Sequence, residues 1–310
     1  MLELINLSKK FGDCTAVDDL SLKVENGEIF GLLGPNGAGK STIVSMIGSF
    51  ISPTSGEIKI DNISLSKNPI KAKRVMGIVP QDLALYEELS AKDNLEFFGT
   101  LYGLSRKETK KRVDEVLDII ELKEKKHQLV CDFSGGMKRR VNIGIALMNN
   151  PKLLILDEPT VGIDPQSRNH ILETVKRLNE QRGMTVIYTS HYMEEVEFLC
   201  KRIAIMDHGK IIALGTKDEL KEKLRACDTL TIDCCEVSEK AYESIKVFKG
   251  IERATLKGCQ LTLLVTPRTQ NVIDILDKIR NLGIKISSFK YEEVNLESLF
   301  LQVTGKSLRE

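Results

Sequence analysis

The sequence predicts an α/β protein: a large domain with a mainly parallel sheet, followed by a small α+β domain. Two short apolar runs, residues 29–33 and 152–158, have the continuous hydrophobicity of strands buried on both faces. Segments of helical period follow both runs. The C-terminal part shows short strands and helices in the order βαββαβ, which predicts a ferredoxin-like unit.

Length and composition set limits on this prediction. The chain has 310 residues, 42% of them hydrophobic, and a formal net charge of +1. This charge gives no reason to expect a nucleic-acid partner. No apolar run approaches the roughly 18 residues of a membrane span, and the N-terminus lacks the apolar core of a signal peptide. The seven cysteines are irregularly spaced, which indicates thiols in a reducing compartment. We therefore expect a soluble cytosolic protein.

The first 28 residues predict an antiparallel β part. Apolar residues alternate in residues 2–7 and again in residues 20–24, as in strands with one buried face. Residues 25–28 (ENGE) have the composition of a tight hairpin turn leading into the strand at residues 29–33.

A glycine-rich stretch, GPNGAGKST, follows that strand and precedes a helix of apolar period. Strand, glycine loop and helix in this order predict a phosphate-binding loop. Its backbone N–H groups would surround the phosphate oxygens at the positive end of the helix dipole. Lys40 would supply a positive charge, and Ser41 a hydroxyl for Mg²⁺. A glycine turn with an incidental lysine is the alternative, which the full spacing disfavours. The predicted contacts are Gly34, Pro35, Asn36, Gly37, Ala38, Gly39, Lys40, Ser41 and Thr42.

From about residue 83 to residue 150 the period becomes helical, which predicts a helical insert within the α/β domain. Leu95, Phe98, Leu101 and Tyr102 share one predicted face. Later in the insert, Ser134 is a good helix cap, and Gly135 and Gly136 let the backbone approach a ligand. This helix start is either a second anion site, covering a nucleotide held by another subunit, or a plain capped helix.

The apolar run of residues 152–158 ends in two carboxylates. Asp157 at the end of a buried strand is a candidate Mg²⁺ ligand opposite Ser41. Glu158 is a candidate base that orients and deprotonates a water molecule. Adjacent strand residues point to opposite faces, so both roles require the strand to end there, as Pro159 indicates. The alternative is that both carboxylates only solvate a loop.

The remaining elements complete the two domains. Helix, strand and helix are predicted at residues 166–182, 185–189 and 193–200, followed by a hairpin that turns at residues 207–209. A charged helical stretch at residues 217–225 is interpreted as a linker. The predicted domain limits are 1–223 and 227–310, with the helical subdomain at about 83–150.

Residues 1–223 resemble the ATP-binding subunit of an ABC transporter. The matching motifs occur in the order Walker A (residues 34–42), Q-loop (79–81), signature motif (133–137), Walker B (153–160), D-loop (162–165) and switch histidine (191). The resemblance implies ATP and Mg²⁺ as cofactors and assigns nucleotide contacts to Phe11, Gln81, Ser134, Gly135, Gly136 and Asp164. It adds Gln81 to Ser41 and Asp157 as metal ligands. It also makes His191 the catalytic partner of Glu158. A phenylalanine packed in the core is the alternative for Phe11.

The chain departs from the family pattern at one position of the signature motif and resembles one branch of the family in other segments. Met137 stands where the signature motif usually ends in glutamine, and a methionine side chain does not take over the polar role of that glutamine. The signature region, the residues around the D-loop and the tail at residues 296–301 (LESLFL) resemble the drug- and antibiotic-exporting branch. In that branch the permease is usually a separate polypeptide.

The resemblance further implies a head-to-tail homodimer with ATP at the interface, bound to a membrane permease on the cytoplasmic face. Residues 82–89 are the candidate groove for a permease helix, although Leu83, Leu85 and Tyr86 would serve equally well as subdomain core.

An ABC ATPase in a non-transport process is a second hypothesis. Such ATPases usually have two nucleotide domains in one chain or a long coiled coil, and this sequence predicts neither. A P-loop kinase or GTPase gives the signature segment no role. A further hypothesis is a regulatory protein that senses a ligand with its C-terminal unit. The sequence from residue 283 onward shows no metal or catalytic cluster to support it.

Overall fold

The structure is a computed structural model, and it describes residues 1–223, 227–235, 237–266 and 272–304. They form two compact units, of which the first is Met1–Leu214 and the second begins at Gly215. None of the described helices is long and apolar enough to cross a membrane. The seven cysteines all lie in the described part, and none of them forms a disulfide.

The elements of the first unit include ten strands and seven α-helices among the described residues. The strands are β1 (Leu2–Phe11), β2 (Cys14–Val24), β3 (Ile29–Leu33), β4 (Ser55–Ile60), β5 (Ile63–Ser64), β6 (Met76–Val79), β7 (Leu153–Asp157), β8 (Thr185–Ser190), β9 (Arg202–Asp207) and β10 (Lys210–Thr216). The helices are α1 (Lys40–Ile47), α2 (Pro69–Lys73), α3 (Ala91–Leu101), α4 (Arg106–Ile119), α5 (Gly135–Leu147), α6 (Pro165–Arg182) and α7 (Met193–Leu199). Two short 3₁₀ helices, Lys123–Lys125 and Val130–Asp132, precede α5.

The central sheet has the strand order β10-β9-β3-β8-β7-β6. Strand β3 pairs in parallel with β8 and β9, and β7 pairs in parallel with β6 and β8. All residues of β3, β7 and β8 are buried, as their continuous hydrophobicity predicts for a sheet covered on both faces. The carboxyl ends of these strands therefore meet at one edge.

The second sheet of this unit has the order β2-β1-β4-β5 and is antiparallel. Leu4 of β1 lies opposite Leu22 of β2, and both are buried, which confirms the alternation in the sequence. The predicted hairpin at residues 25–28 is wrong. The chain does turn there, but β3 pairs with β8 and β9 and so lies in the other sheet.

The helical insert is confirmed by α3, α4 and α5. Each begins at a serine whose side chain accepts a hydrogen bond from the backbone three residues later, so local capping chemistry fixes the three helix starts. The predicted face of α3 is only partly correct. Leu95 is fully buried, but Leu101 and Tyr102, at the C-terminal end of the helix, are 65% and 41% exposed.

The second unit contains the predicted βαββαβ order. Its elements are α8 (Lys217–Lys223), β11 (Asp228–Cys235), α9 (Glu239–Lys246), β12 (Ile251–Lys257), β13 (Gln260–Val265), α10 (Val272–Asn281), β14 (Lys285–Glu292) and α11 (Leu296–Thr304). Its sheet is antiparallel with the order β12-β13-β11-β14. Apolar residues of β11, α9, β13 and α10 form its core.

Helix α8 contacts α11 and buries Leu220. The division after Leu214 places α8 in the second unit, whereas the sequence assigns it to the first. The functional limits of the two domains stay a prediction. Residues 224–226, which include the end of the predicted linker, and residues 267–271, which include the start of the second predicted helix, lie outside the described residues.

Candidate nucleotide site

Three strand ends form the base of the candidate site. Leu33 at the end of β3 lies beside Ser190 of β8, and Asp157 at the end of β7 lies beside Thr189. The residues that follow these strands therefore meet at the same edge of the sheet, where parallel α/β proteins bind ligands. They are the glycine loop after β3, Glu158 after β7 and His191 after β8.

The glycine loop leads directly into α1, which begins at Lys40. A Cβ on Gly34 would lie 2.6 Å from the carbonyl oxygen of Met206, so this position has no space for a side chain. Gly39 has a φ of 104°, and a Cβ there would lie 2.5 Å from the carbonyl oxygen of Ala16. These two positions require glycine, which explains how the backbone of this loop curls tightly around the start of the helix.

Lys40 is almost completely buried at 4% exposure. Its Nζ donates hydrogen bonds to the carbonyl oxygens of Gly34 (2.8 Å) and Pro35 (3.1 Å). It also lies 3.1 Å from Oε1 of Glu158. The loop therefore holds one positive charge at the bottom of the site, against a buried carboxylate.

Glu158 leaves the strand in the left-handed region, with a φ of 44°. Its Oε2 lies 3.1 Å from Nδ1 of His191, and its N–H donates to Oγ1 of Thr189 at 2.9 Å. Strand β7 ends at Asp157, as the roles predicted for Asp157 and Glu158 require. The left-handed residue turns the Glu158 side chain toward Lys40 and His191.

Asp157 has a different environment. Its Oδ1 accepts a hydrogen bond of 2.7 Å from the hydroxyl of Thr189, and its side chain is buried at 6% exposure. Sequence reasoning did not identify Thr189. A threonine and a serine at the end of an otherwise apolar buried strand were the available signal, because buried hydroxyls require partners.

A cleft of about 370 Å³ collects half of the predicted site residues. It is lined by Ala16, Asn36, Gly37, Gly39, Lys40, Ser41, Thr42, Gln81, Glu158, Val161 and His191. The other half are not part of this lining, namely the predicted contacts Phe11, Gly34, Pro35, Ala38, Ser134, Gly135, Gly136 and Asp164 and the candidate metal ligand Asp157. Phe11 is 50% exposed, with Lys9 Nζ 4.9 Å from its ring centre, so it is not the core phenylalanine of the alternative interpretation.

Ser134 and Asp164 lie at two adjoining helix starts. The hydroxyl of Ser134 accepts the N–H of Met137 at 3.3 Å, and Oδ1 of Asp164 accepts the N–H of Ser167 at 2.9 Å. Hydrogen bonds from the backbone and the side chain of Ser167 hold the pKa of Asp164 below its ordinary value. A Cβ on Gly136 would lie 2.2 Å from Oγ of Ser167, so the first turn of α5 packs directly against that of α6. The two helix starts form one surface.

Helix α5 also holds the segment that contains Gln81. Arg139 is buried, and its guanidinium donates to the carbonyl oxygens of Pro80 (2.8 Å) and Gln81 (2.5 Å). Burial lowers the pKa of this guanidinium. One turn later, Oδ1 of Asn142 accepts the N–H of Ala84 at 3.3 Å. The helix that begins at Ser134 is thus attached to the backbone of Gln81, a connection that sequence reasoning missed.

The cleft fits a nucleoside triphosphate with Mg²⁺. Gly34 and Gly39 leave no space for a side chain, Lys40 supplies a cation, and Ser41 and Thr42 bring hydroxyls to the lining. A glycine loop at a helix N-terminus with a lysine and a neighbouring strand-end carboxylate defines a P-loop ATPase site.

The chain belongs to the ABC transporter family as an ATP-binding subunit. Residues 17–161 match the family described as ABC transporter. The chain is 48% identical to the linearmycin resistance ATP-binding protein LnrL of Bacillus subtilis, over 100% of both proteins. It is 35% identical to the Nod factor export ATP-binding protein I of Cupriavidus metallidurans, over 100% of this chain and 99% of that protein.

A solved structure agrees with this assignment. The dimeric post-hydrolysis structure of the ATP-binding cassette MJ0796 bound to ADP and Pi is similar at a TM-score of 0.63 and 31% identity. The similarity covers 70% of this chain and 98% of that one. The protein is therefore an ATPase that uses ATP and Mg²⁺, and it has the family's fold.

Proposed function

We propose that this chain powers export through a separately encoded membrane permease, working as a head-to-tail dimer with ATP between the two copies. The observation that carries the hydrolytic part of this proposal is the position of Glu158, whose carboxylate lies 3.1 Å from both Lys40 and His191 in the candidate cleft. This arrangement suits hydrolysis as well as binding, because a carboxylate held beside the phosphate loop is placed to accept a proton from water.

In this proposal Lys40 neutralises charge on the terminal phosphates, and the loop N–H groups surround them. Glu158 orients and deprotonates the attacking water, while His191 holds Glu158 and contacts the terminal phosphate. Phe11, at the exposed end of β1, stacks on the adenine ring. Ser41, Gln81 and Asp157 would hold Mg²⁺, which supplies charge neutralisation at the phosphate oxygens.

The dimer is proposed because the Ser134 surface does not line the cleft of its own chain. Ser134, Gly135 and Gly136 begin a capped helix with exposed residues at its tip, which is an anion-binding arrangement. Placed over the cleft of a second copy, this helix start and the neighbouring Asp164 complete the site around ATP. A symmetric pair forms two such sites at once.

Export is proposed from the relatives, whose names describe linearmycin resistance and Nod factor export. The candidate permease contact is the segment of residues 82–89, where Leu83 and Tyr86 are 38% and 47% exposed and therefore not core residues. Exposed apolar side chains of this kind suit contact with a short amphipathic helix of the permease. In this arrangement the chain lies on the cytoplasmic face of the membrane, and the C-terminal domain is an accessory unit.

The variant Ser134→Arg tests the dimer. We expect it to bind ATP as a monomer, without dimerisation or hydrolysis, because the long cation blocks the surface that covers the second copy's ATP. Ser105→Arg is the matched control, since Ser105 is also an exposed serine cap, at the start of α4. Light scattering that shows ATP-driven dimers of Ser134→Arg would contradict the head-to-tail arrangement. Co-purification with an integral membrane protein distinguishes the transporter from an ATPase in a non-transport process.

A further inference from the structure

Helix α7 carries a buried carboxylate that has no role in the site as described so far. Glu195 is 2% exposed, yet it accepts three hydrogen bonds from hydroxyl groups. The donors are Thr160 Oγ1 at 2.7 Å, Tyr188 OH at 2.9 Å and Ser190 Oγ at 2.9 Å. A buried carboxylate is costly unless it is paired and hydrogen-bonded in this way.

An arginine provides the positive charge. Nε of Arg168 lies 3.4 Å from Oε1 of Glu195 as an ion pair without hydrogen-bond geometry. The Arg168 guanidinium also lies over the ring of Tyr192, 4.7 Å from its centre. Arg168 is in the first turn of α6, the helix that Asp164 caps. Glu195 therefore connects α7 to the helix that starts at the candidate dimer surface.

The three hydroxyl donors lie on the two segments that carry Glu158 and His191. Thr160 is two residues after Glu158, and Ser190 directly precedes His191. The hydroxyl of Ser190 donates to Glu195 and also accepts the N–H of Tyr192 at 2.9 Å. The turn that contains His191 is therefore closed by a hydrogen bond whose geometry depends on Glu195.

The end of β8 is held on both faces. Thr189 bonds Asp157 and Glu158 on one side of the strand. Its neighbours Tyr188 and Ser190 point to the opposite side, as alternation requires, and both donate to Oε2 of Glu195. The strand end before His191 is therefore fixed from both sides. Movement toward α7 breaks the bond between Thr189 and Asp157, and movement toward β7 breaks the bond between Ser190 and Glu195.

We propose that Glu195 is the positioning residue that sets the distance between Glu158 and His191. One oxygen of its carboxylate holds the loop after Glu158 and the start of α6, and the other holds β8 and the His191 turn. Because the two oxygens belong to one rigid group, the two segments keep a fixed separation. This inference rests on the proposed roles of Glu158 and His191.

Glu195→Gln is the first test, because it keeps the volume of the side chain and replaces one acceptor oxygen by an NH₂ group. Arg168 cannot accept a hydrogen bond, so the amide oxygen takes the Oε1 position and the NH₂ group faces Tyr188 and Ser190. The His191 turn then loses its acceptor. We expect kcat to fall by about 10- to 100-fold, as for a small displacement of reacting groups, with the Kd for ATP changed by less than about twofold.

Glu194→Gln is the matched control, since Glu194 is the preceding residue of the same helix and is exposed. Its kcat and Kd should equal those of the unaltered chain. Ser190→Ala removes only the hydroxyl that links Glu195 to the His191 turn, and we expect it to reproduce most of the loss in kcat. If Glu195→Gln does not fold, Ser190→Ala decides the question by the same measurement.

A double-mutant cycle separates positioning from general structural support. If Glu195 acts through His191, adding Glu195→Gln to His191→Ala should lower kcat by less than about twofold further. Near-normal kcat for both Glu195→Gln and Ser190→Ala, beside a slow His191→Ala, overturns this inference alone. Fully additive losses overturn it as well. Near-normal hydrolysis by His191→Ala overturns the proposed catalytic roles and this inference together.

Discussion

Glu158 and Lys40 form an ion pair of 3.1 Å in which both side chains are at most 6% exposed. Removing one partner of a buried pair is strongly destabilising, because the other charge remains without compensation. Here the second carboxylate oxygen is held by His191. The same two contacts that hold Glu158 in its buried position also direct its carboxylate, so stability and the proposed catalysis depend on one group.

Glu158→Gln should therefore separate binding from hydrolysis. The amide keeps the size of the side chain but cannot accept a proton, so we expect ATP binding to persist while turnover falls roughly 10²–10⁴-fold. Steady-state ATPase assays and calorimetric titration with ATP measure the two quantities. Glu180→Gln is the control, because Glu180 is an exposed residue of α6. A near-normal rate for Glu158→Gln would exclude Glu158 as the base.

The two glycines at the start of α5 should respond differently to alanine. A Cβ on Gly136 would lie 2.2 Å from Oγ and 2.3 Å from Cβ of Ser167, whereas the nearest atom to a Cβ on Gly135 is 3.7 Å away. Gly136→Ala should therefore separate α5 from α6 and cost about 1–3 kcal/mol in the free energy of unfolding. Gly135→Ala should leave that free energy unchanged or slightly raised, since alanine favours helix.

Urea unfolding of the nucleotide-free chain compares the two variants. Equal stability of Gly136→Ala and Gly135→Ala would contradict the close packing of the two helix starts. ATP hydrolysis gives an independent result, because Gly135 belongs to the proposed surface that covers a second copy's ATP. A Gly135→Ala chain that is stable but slow in hydrolysis would support that role.

The sequence predicts the position of the glycine loop and the order of the elements well, because both depend on local signals. Residues 34–42 carry their spacing and glycines in one stretch, and the buried strands β3 and β7 are continuous apolar runs. The prediction of a hairpin at residues 25–28 failed. The turn is correct, but a local turn signal does not determine whether the strands before and after it pair with each other. Strand β3 is paired by long-range parallel contacts with β8 and β9.

The supporting residues could not be predicted for a similar reason. Arg139, Thr189 and Glu195 have ordinary helix or strand contexts, and each has at least one partner far along the chain, at 58, 32 and 35 residues respectively. A buried polar side chain must have a partner, but only the fold identifies it. The sequence therefore indicates the residues of the cleft, while the structure reveals what holds them in place.

Arg139→Gln should weaken the response of the enzyme to Mg²⁺. The shorter, uncharged side chain cannot donate to the carbonyl oxygens of both Pro80 and Gln81, so at least one hydrogen bond from a charged group is lost, at about 1.5–3 kcal/mol of unfolding free energy. Because the backbone of Gln81 is then less fixed, we expect the Mg²⁺ concentration for half-maximal hydrolysis to rise several-fold. ATPase assays at increasing Mg²⁺ and constant ATP measure this shift.

Lys138→Gln is the control for Arg139, since it breaks only the ion pair with Glu87, a carboxylate that is 46% exposed. Pairs of this kind contribute about 1 kcal/mol or less, so the Mg²⁺ dependence should stay as in the unaltered chain. An unchanged Mg²⁺ dependence in Arg139→Gln would show that the backbone contacts do not position Gln81.

His170 should make the chain less stable in mild acid. Its Nε2 lies 3.1 Å from the Arg140 guanidinium and 3.3 Å from Oε2 of Glu121. Burial, and then Arg140, hold its pKa below the ordinary value, against the opposing effect of Glu121. The unfolded chain, with a histidine pKa of about 6.5, then binds the proton more readily than the folded chain. The stability that His170 contributes is therefore complete above that pKa and is lost as pH falls through the folded-state value.

Thermal unfolding between pH 8 and 5, a range chosen to bracket that pKa of about 6.5, measures this effect. The unfolding temperature of His170→Gln should fall less in acid than that of the unaltered chain. His127→Gln, in an exposed loop position, should follow the unaltered chain, and parallel curves for all three would contradict the prediction.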